Sequence, residues 1–148
     1  MSRNIFGNYN REGRLIDAVA IVGTTPIVGP QPSGGQYLEG LDGLCLQLVS
    51  SGSSGGTVAG AWLIEASNDF SGGGAPTLND SSSGGTWSDI TALFKTPSGG
   101  AIAAVVSGGT NQFAQVTSRL FARAIRVTFT PTGGAGNVSC LAFGSGIT

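Results

Sequence analysis

An antiparallel β-sandwich of jelly-roll type, with about eight strands and long Gly/Ser-rich loops, is the fold class this sequence predicts. Three observations carry that prediction. The chain of 148 residues contains 26 glycines with no three-residue period, which excludes collagen and assigns them to turns and loops. Short apolar runs recur between clusters of Gly, Ser, Thr and Asn, the pattern of sandwiches and barrels. In two runs, 44–49 and 125–130, every second residue is a large apolar one, giving one fully apolar face, which is the period of a strand. A hydrophobic fraction of 40% with only 10% charged residues argues against a wholly disordered chain, and the length fits one core.

Residues 1–14 are polar and aperiodic, with Arg3, Tyr9, Arg11 and Arg14 among them; they read as an arm, leaving 15–148 as a single sandwich domain. The first strand is expected at 15–22, with a short apolar stretch at Ile27 and Val28 and a loop at 29–35. At 44–49, Leu44, Leu46 and Leu48 share one face, and Cys45, Gln47 and Val49 the other. A Gly/Ser turn at 50–56 leads into a strand at 57–66 in which Trp62, Ile64 and Ala66 point together, and Ser67, Asn68 and Asp69 end it as turn residues. Residues 70–86 are mostly Gly, Ser, Asn and Pro and form the longest exposed loop. The sheet resumes at 87–90, continuing through Leu93 and Phe94, and 101–106 is another apolar run. In 111–124, Phe113, Val116, Leu120 and Ala124 approximate helical spacing, so the segment reads either as a short helix or as a loop entering a strand. Residues 123–130 form the clearest strand, with Ile125, Val127 and Phe129 facing in; 132–136 turns the chain and 138–143 is the last strand.

Seven basic and eight acidic side chains leave a net charge of −1, too little field to concentrate on nucleic acid or an anionic membrane. The start of the chain shows no signal-peptide pattern and no run reaches the length of a membrane span, so synthesis in a cytoplasm is expected. Cys45 and Cys140 fit no metal spacing and read as small hydrophobes or as a disulfide pair.

The sequence has no histidine, which removes the usual general base and zinc ligand. Its single lysine, Lys95, lies in a Lys-Thr-Pro-Ser turn. Glu65, Asp69, Asp80 and Asp89, with Asn68 and Asn79, flank the long loop; turn chemistry explains them, with calcium ligation or paired-carboxylate catalysis as alternatives. Arg126 faces away from Arg119 and Arg123, which breaks an apparent basic stripe. The Gly-Gly pairs lack the context of a phosphate cradle. Trp62 reads as core, and Trp87 either as core or as a platform for sugar stacking. No catalytic residue, metal site or cofactor is assigned.

The series Trp62 to Asp69, then Gly85 to Ile90, then Ala122 to Thr130 resembles a recurring sandwich pattern: a strand ending in Ser-Asn-Asp, a loop, a Trp-containing strand and an Ala-Arg-x-x-Arg-Val strand. It is similar to discoidin-type, galactose-binding-like jelly rolls, and to small virion structural proteins of tailed bacteriophages. That resemblance implies a non-enzymatic virion protein, a capsid decoration or accessory subunit. Its partners would be the major capsid or tail protein and further copies of itself, through the arm of Arg3, Tyr9, Arg11 and Arg14. The alternative it implies is a carbohydrate-binding module using Asn68, Asp69, Asn79, Asp80 and Trp87. Neither version involves nucleic acid or a membrane.

Overall fold

The computed structural model describes residues 14–29, 36–37, 43–53, 57–69, 86–116, 122 and 124–145. Among these residues ten strands run in chain order: β1 (Arg14–Ala20), β2 (Ile27–Gly29), β3 (Gln36–Tyr37), β4 (Gly43–Gly52), β5 (Ala59–Ser67), β6 (Ser88–Asp89), β7 (Val105–Ser107), β8 (Thr110–Gln115), β9 (Ala124–Gly133) and β10 (Gly136–Ser145). One sheet has the order β1-β10-β4-β8; the other is β2-β9-β5-β6, with β3 also on β9 and β7 also on β5. All the pairings are antiparallel. Because β2 and β3 lie along different parts of β9, and β6 and β7 along different parts of β5, ten strands occupy eight positions. The chain order of those positions, 1-8-3-6 in one sheet and 2-7-4-5 in the other, is that of a jelly roll. The expected fold class is what the chain adopts.

The core lies between the sheets and follows the two-residue period. Leu44, Leu46 and Leu48 of β4 are buried against Trp62 and Ile64 of β5, Ile125, Val127 and Phe129 of β9, and Val138 and Cys140 of β10. Trp62 and Phe129 are cross-strand partners with ring centroids 4.8 Å apart and planes tilted by 59°, an arrangement that favours the positive ring edge over a negative face. Gly60 makes room for this pair, since a Cβ there would strike the Phe129 ring. Inward-facing polar groups are mostly satisfied. Ser50 Oγ meets Gly108 O at 3.2 Å and Thr110 Oγ1 at 2.7 Å, and Gln112 binds both the N–H and the C=O of Ala103. The indole N–H of Trp62 has no hydrogen-bond partner among the described residues.

Several local expectations are corrected. Arg14, read as the last residue of the arm, opens β1 opposite Leu141 and pairs with Asp17 at 2.8 Å. β1 stops at Ala20, and Val22 is exposed. The strand expected to run from 87 through Phe94 is only Ser88–Asp89. Asp89 Oδ1 accepts the Thr91 N–H at 2.8 Å, and this turn chemistry diverts the chain into a 3-10 turn, Thr91–Leu93. The ambiguous 111–124 region begins as strand β8, not helix: Ala114 faces in opposite Leu46 and Phe113 faces out opposite Gln47. Neighbouring residues on opposite faces are incompatible with the helical stripe that Phe113 and Val116 suggested.

β1 carries a bulge. Its register against β10 shifts between Arg14 and Ile16 and again between Ile16 and Val19. There Ala18 takes a φ of 47°, and its N–H goes to Ser139 Oγ at 2.9 Å. A bulge in an edge strand bends it and blunts unwanted edge-to-edge pairing.

Candidate functional site

Two outer surfaces hold the residues of interest. On the outer face of the second sheet, Glu65 of β5 and Arg126 of β9 are directly opposed. Arg126 donates from Nε to Glu65 Oε1 at 2.8 Å and from Nη2 to Oε2 at 3.2 Å, a two-pronged carboxylate contact of high directional specificity. The same guanidinium sits 4.5 Å from the ring centroid of Trp87, within cation–π range. Arg126 thus ties the start of β6 to the centre of the sheet. It serves as a clamp on the strand surface; Arg119 and Arg123, the other arginines of the apparent basic stripe, lie outside the described residues.

Next to this clamp, Asp69 Oδ1 accepts the Ser67 hydroxyl at 2.7 Å and the Thr86 N–H at 2.6 Å. A single carboxylate oxygen therefore joins the residues on either side of 70–85. These bonds, first that from the Thr86 backbone and then that from Ser67, hold the Asp69 carboxyl below the usual carboxylate range. Since the folded value is the lower one, the bonds contribute above the unfolded carboxylate value of about 3.9 and are lost as pH falls through the folded value. We expect the Thr86 amide resonance to hold its position down to pH about 4 and to shift only on further acidification. A midpoint at or above the ordinary Asp value, followed by NMR, would show the bond is not formed.

Of the loop residues expected to bind a glycan, Asn68 and Asp69 are exposed at the end of β5 and Trp87 is half-buried under Arg126. Asn79 and Asp80 lie outside the described residues, as do Arg3, Tyr9 and Arg11 of the arm. The structure brings Asp69 and Trp87 to the same end of the β5–β6 pair, beside Ala66 and Ser88. Asp89, another of the candidate carboxylates, is held below the usual range by its bonds to the Thr91 side chain and backbone. Among the described residues, no group of three or more His, Cys, Asp or Glu side chains is placed to hold a metal ion.

The second surface was not legible as a site. On the outer face of the first sheet, register places Phe143, Cys45 and Gln115 in one row, Leu141, Gln47 and Phe113 in the next, and Ser139, Val49 and Asn111 in a third. Phe143 is 58% and Phe113 47% exposed. Strands β4, β8 and β10 contain no charged residue at all. Charges stand at the margins: the Arg14–Asp17 pair on β1, and Lys95, bridged to Gln115 beyond β8. The signal in the sequence was the absence of charge from three separate segments, which only register assembles into one surface.

Both cysteines are free. Alternation along β4 and β10 sends Cys140 into the core and Cys45 to the outer face, so the disulfide alternative does not hold within the chain, and Cys45 is half-buried where a core thiol was expected. Desolvation raises both thiols, Cys140 the more strongly.

With the jelly roll and both surfaces described, comparison with protein-family models, curated proteins and solved structures finds no match.

Proposed function

We propose that this chain is a non-enzymatic structural subunit that acts by assembling with other proteins, in the setting its sequence resemblance implies: the virion of a tailed bacteriophage, as a capsid decoration or accessory protein. The observation that carries the reading is the charge-free outer face of β10, β4 and β8, with Phe113 and Phe143 exposed on it. Depletion of charge together with exposed aromatics is the composition of an interface centre, and isolated subunits seldom leave such a surface uncovered. Supporting a non-catalytic role, the described carboxylates near the long loop are engaged: Glu65 by Arg126, Asp69 by Ser67 and Thr86, and Asp89 by Thr91. The glycan-binding reading gains less support, because Arg126 lies over the Trp87 ring that a sugar would stack on.

The test is detection of the chain in purified phage particles and its placement on them by electron microscopy. Residues 2–13 supply a second arm of the experiment. As an arm reaching a neighbouring subunit, they should be dispensable for the melting temperature but needed for incorporation. Absence of the chain from particles refutes the virion assignment; normal incorporation of the truncated chain refutes the role of the arm.

A further inference from the structure

We propose that the outer face of β10, β4 and β8 is the contact between two copies of this chain, packed face to face about a twofold axis. The inference rests on the reading of the chain as an assembling subunit and names its first partner as itself.

Three features select a second copy. The first is electrostatic. In a twofold contact each part of the face meets another part of the same face, and a face without charges meets its own copy with no like-charge pair and no desolvated ion in any register. The three strands satisfy this along their whole lengths, while the charged groups Arg14, Asp17 and Lys95 stand at the two margins. A partner chosen for opposite charge would find nothing here to recognise.

The second feature is the kind of polar group present. The polar side chains among the apolar ones of this face include Gln47, Gln115, Asn111 and Ser139, with Asn137 and Ser51 in the row beyond. Amides and hydroxyls each carry both donor and acceptor capacity, so the same set can satisfy its own copy. Gln47 Nε2 already donates to Asn111 Oδ1 at 2.8 Å, which holds the two amides in one orientation between Val49 and Phe113.

The third feature is extent. With strands about 4.8 Å apart and residues rising about 3.4 Å each, the three strands β10, β4 and β8, of 10, 10 and 6 residues, offer a flat footprint of roughly 400 Å². Side-chain relief, above all from the two exposed phenylalanines, brings its accessible area toward the about 800 Å² per partner that stable pairs bury. Phe113 and Phe143 stand on opposite sides of β4, so each can enter the groove beside the other copy's central strands, as buried aromatic anchors do at interface centres.

Cys45 lies in this face between Phe143 and Gln115, and Cys140 is wholly buried, so maleimide labelling of the folded chain reads Cys45. The full-length protein should sediment as a dimer at micromolar concentration, with Cys45 labelling slowed at least about tenfold between dilute and concentrated samples. Phe113→Glu combined with Phe143→Glu should give a monomer whose Cys45 labels at one rate at every concentration, with an unchanged circular dichroism spectrum. If that variant misfolds, the concentration dependence of wild-type labelling decides alone. A wild-type chain that stays monomeric to about 100 μM, or a dimer whose Cys45 labels as fast as the monomer's, overturns the proposal. A chain that fails here and still enters particles retains its structural role with a different first partner; one that dimerises but is absent from particles keeps this interface and loses the virion assignment.

Discussion

Replacing Phe129 by alanine is expected to remove about 3–5 kcal/mol of folding stability, the range for a fully buried phenylalanine. Phe129 is 0% exposed in the middle of β9, between β2 and β5. Its ring lies against Trp62, and its far edge reaches the backbone of Gly60. Strands on both sides fix the backbone around the vacancy, so little can move in to fill it. The indole N–H of Trp62 has no partner among the described residues, and losing the neighbouring ring strips its apolar packing as well. For a domain stable by about 5–15 kcal/mol, this is a large fraction of the total, readable by urea unfolding. A loss under about 1 kcal/mol would mean that the inner face of β9 is not where the core is.

A second large effect is expected at Gly134, with its neighbour as the control. Gly134 follows β9 where the chain leaves one sheet for the other, with φ at 93°. A side chain there would be strained whatever space surrounded it, and its Cβ would also drive into the carbonyl of Thr57. Gly133, one residue earlier, has ordinary φ and open space at the Cβ position. Gly134→Ala should therefore destabilise by at least about 2–3 kcal/mol, while Gly133→Ala should stay within about 0.5 kcal/mol of the parent. Equal effects at the two positions, in the same unfolding assay, would contradict the backbone geometry of this crossing.

The contrast between these two glycines marks what a linear reading can reach. Both stand in a turn-like Thr-Gly-Gly-Ala segment, and nothing local says which one lies under Thr57, since that neighbour is supplied by the tertiary fold. The inward faces of β4 and β9 were legible because Leu44, Leu46 and Leu48, and Ile125, Val127 and Phe129, repeat at the strand period without interruption. β8 was not, because it places its large apolar residue, Phe113, outside and its small one, Ala114, inside, the reverse of what burial alone would choose. At the loop, Asp69 was recognisable as a turn residue from Ser67 and Asn68 beside it. Its bond to Thr86 and the seat of Arg126 over Trp87 were not, because those partners meet only through strand pairing. The same holds for the Phe113–Phe143 surface, built from three segments that chain order keeps far apart.

The placement of β10 between β1 and β4, and of β9 between β2 and β5, has a consequence for synthesis. The last two of the described strands to be synthesised are central ones, each joining partners made much earlier. Until β9 emerges, β2 and β5 have no ladder between them; until β10 follows, β1 and β4 stay apart. Neither sheet can close before these two strands are made, so folding is governed by contacts distant in sequence, which places it on the millisecond-to-second scale of β-sandwiches. During that interval the uncharged β4 segment is exposed with its pairing edges open, a state prone to intermolecular pairing. A chain truncated before residue 136 should accordingly emerge from translation as an aggregation-prone polypeptide and not as a smaller folded sandwich.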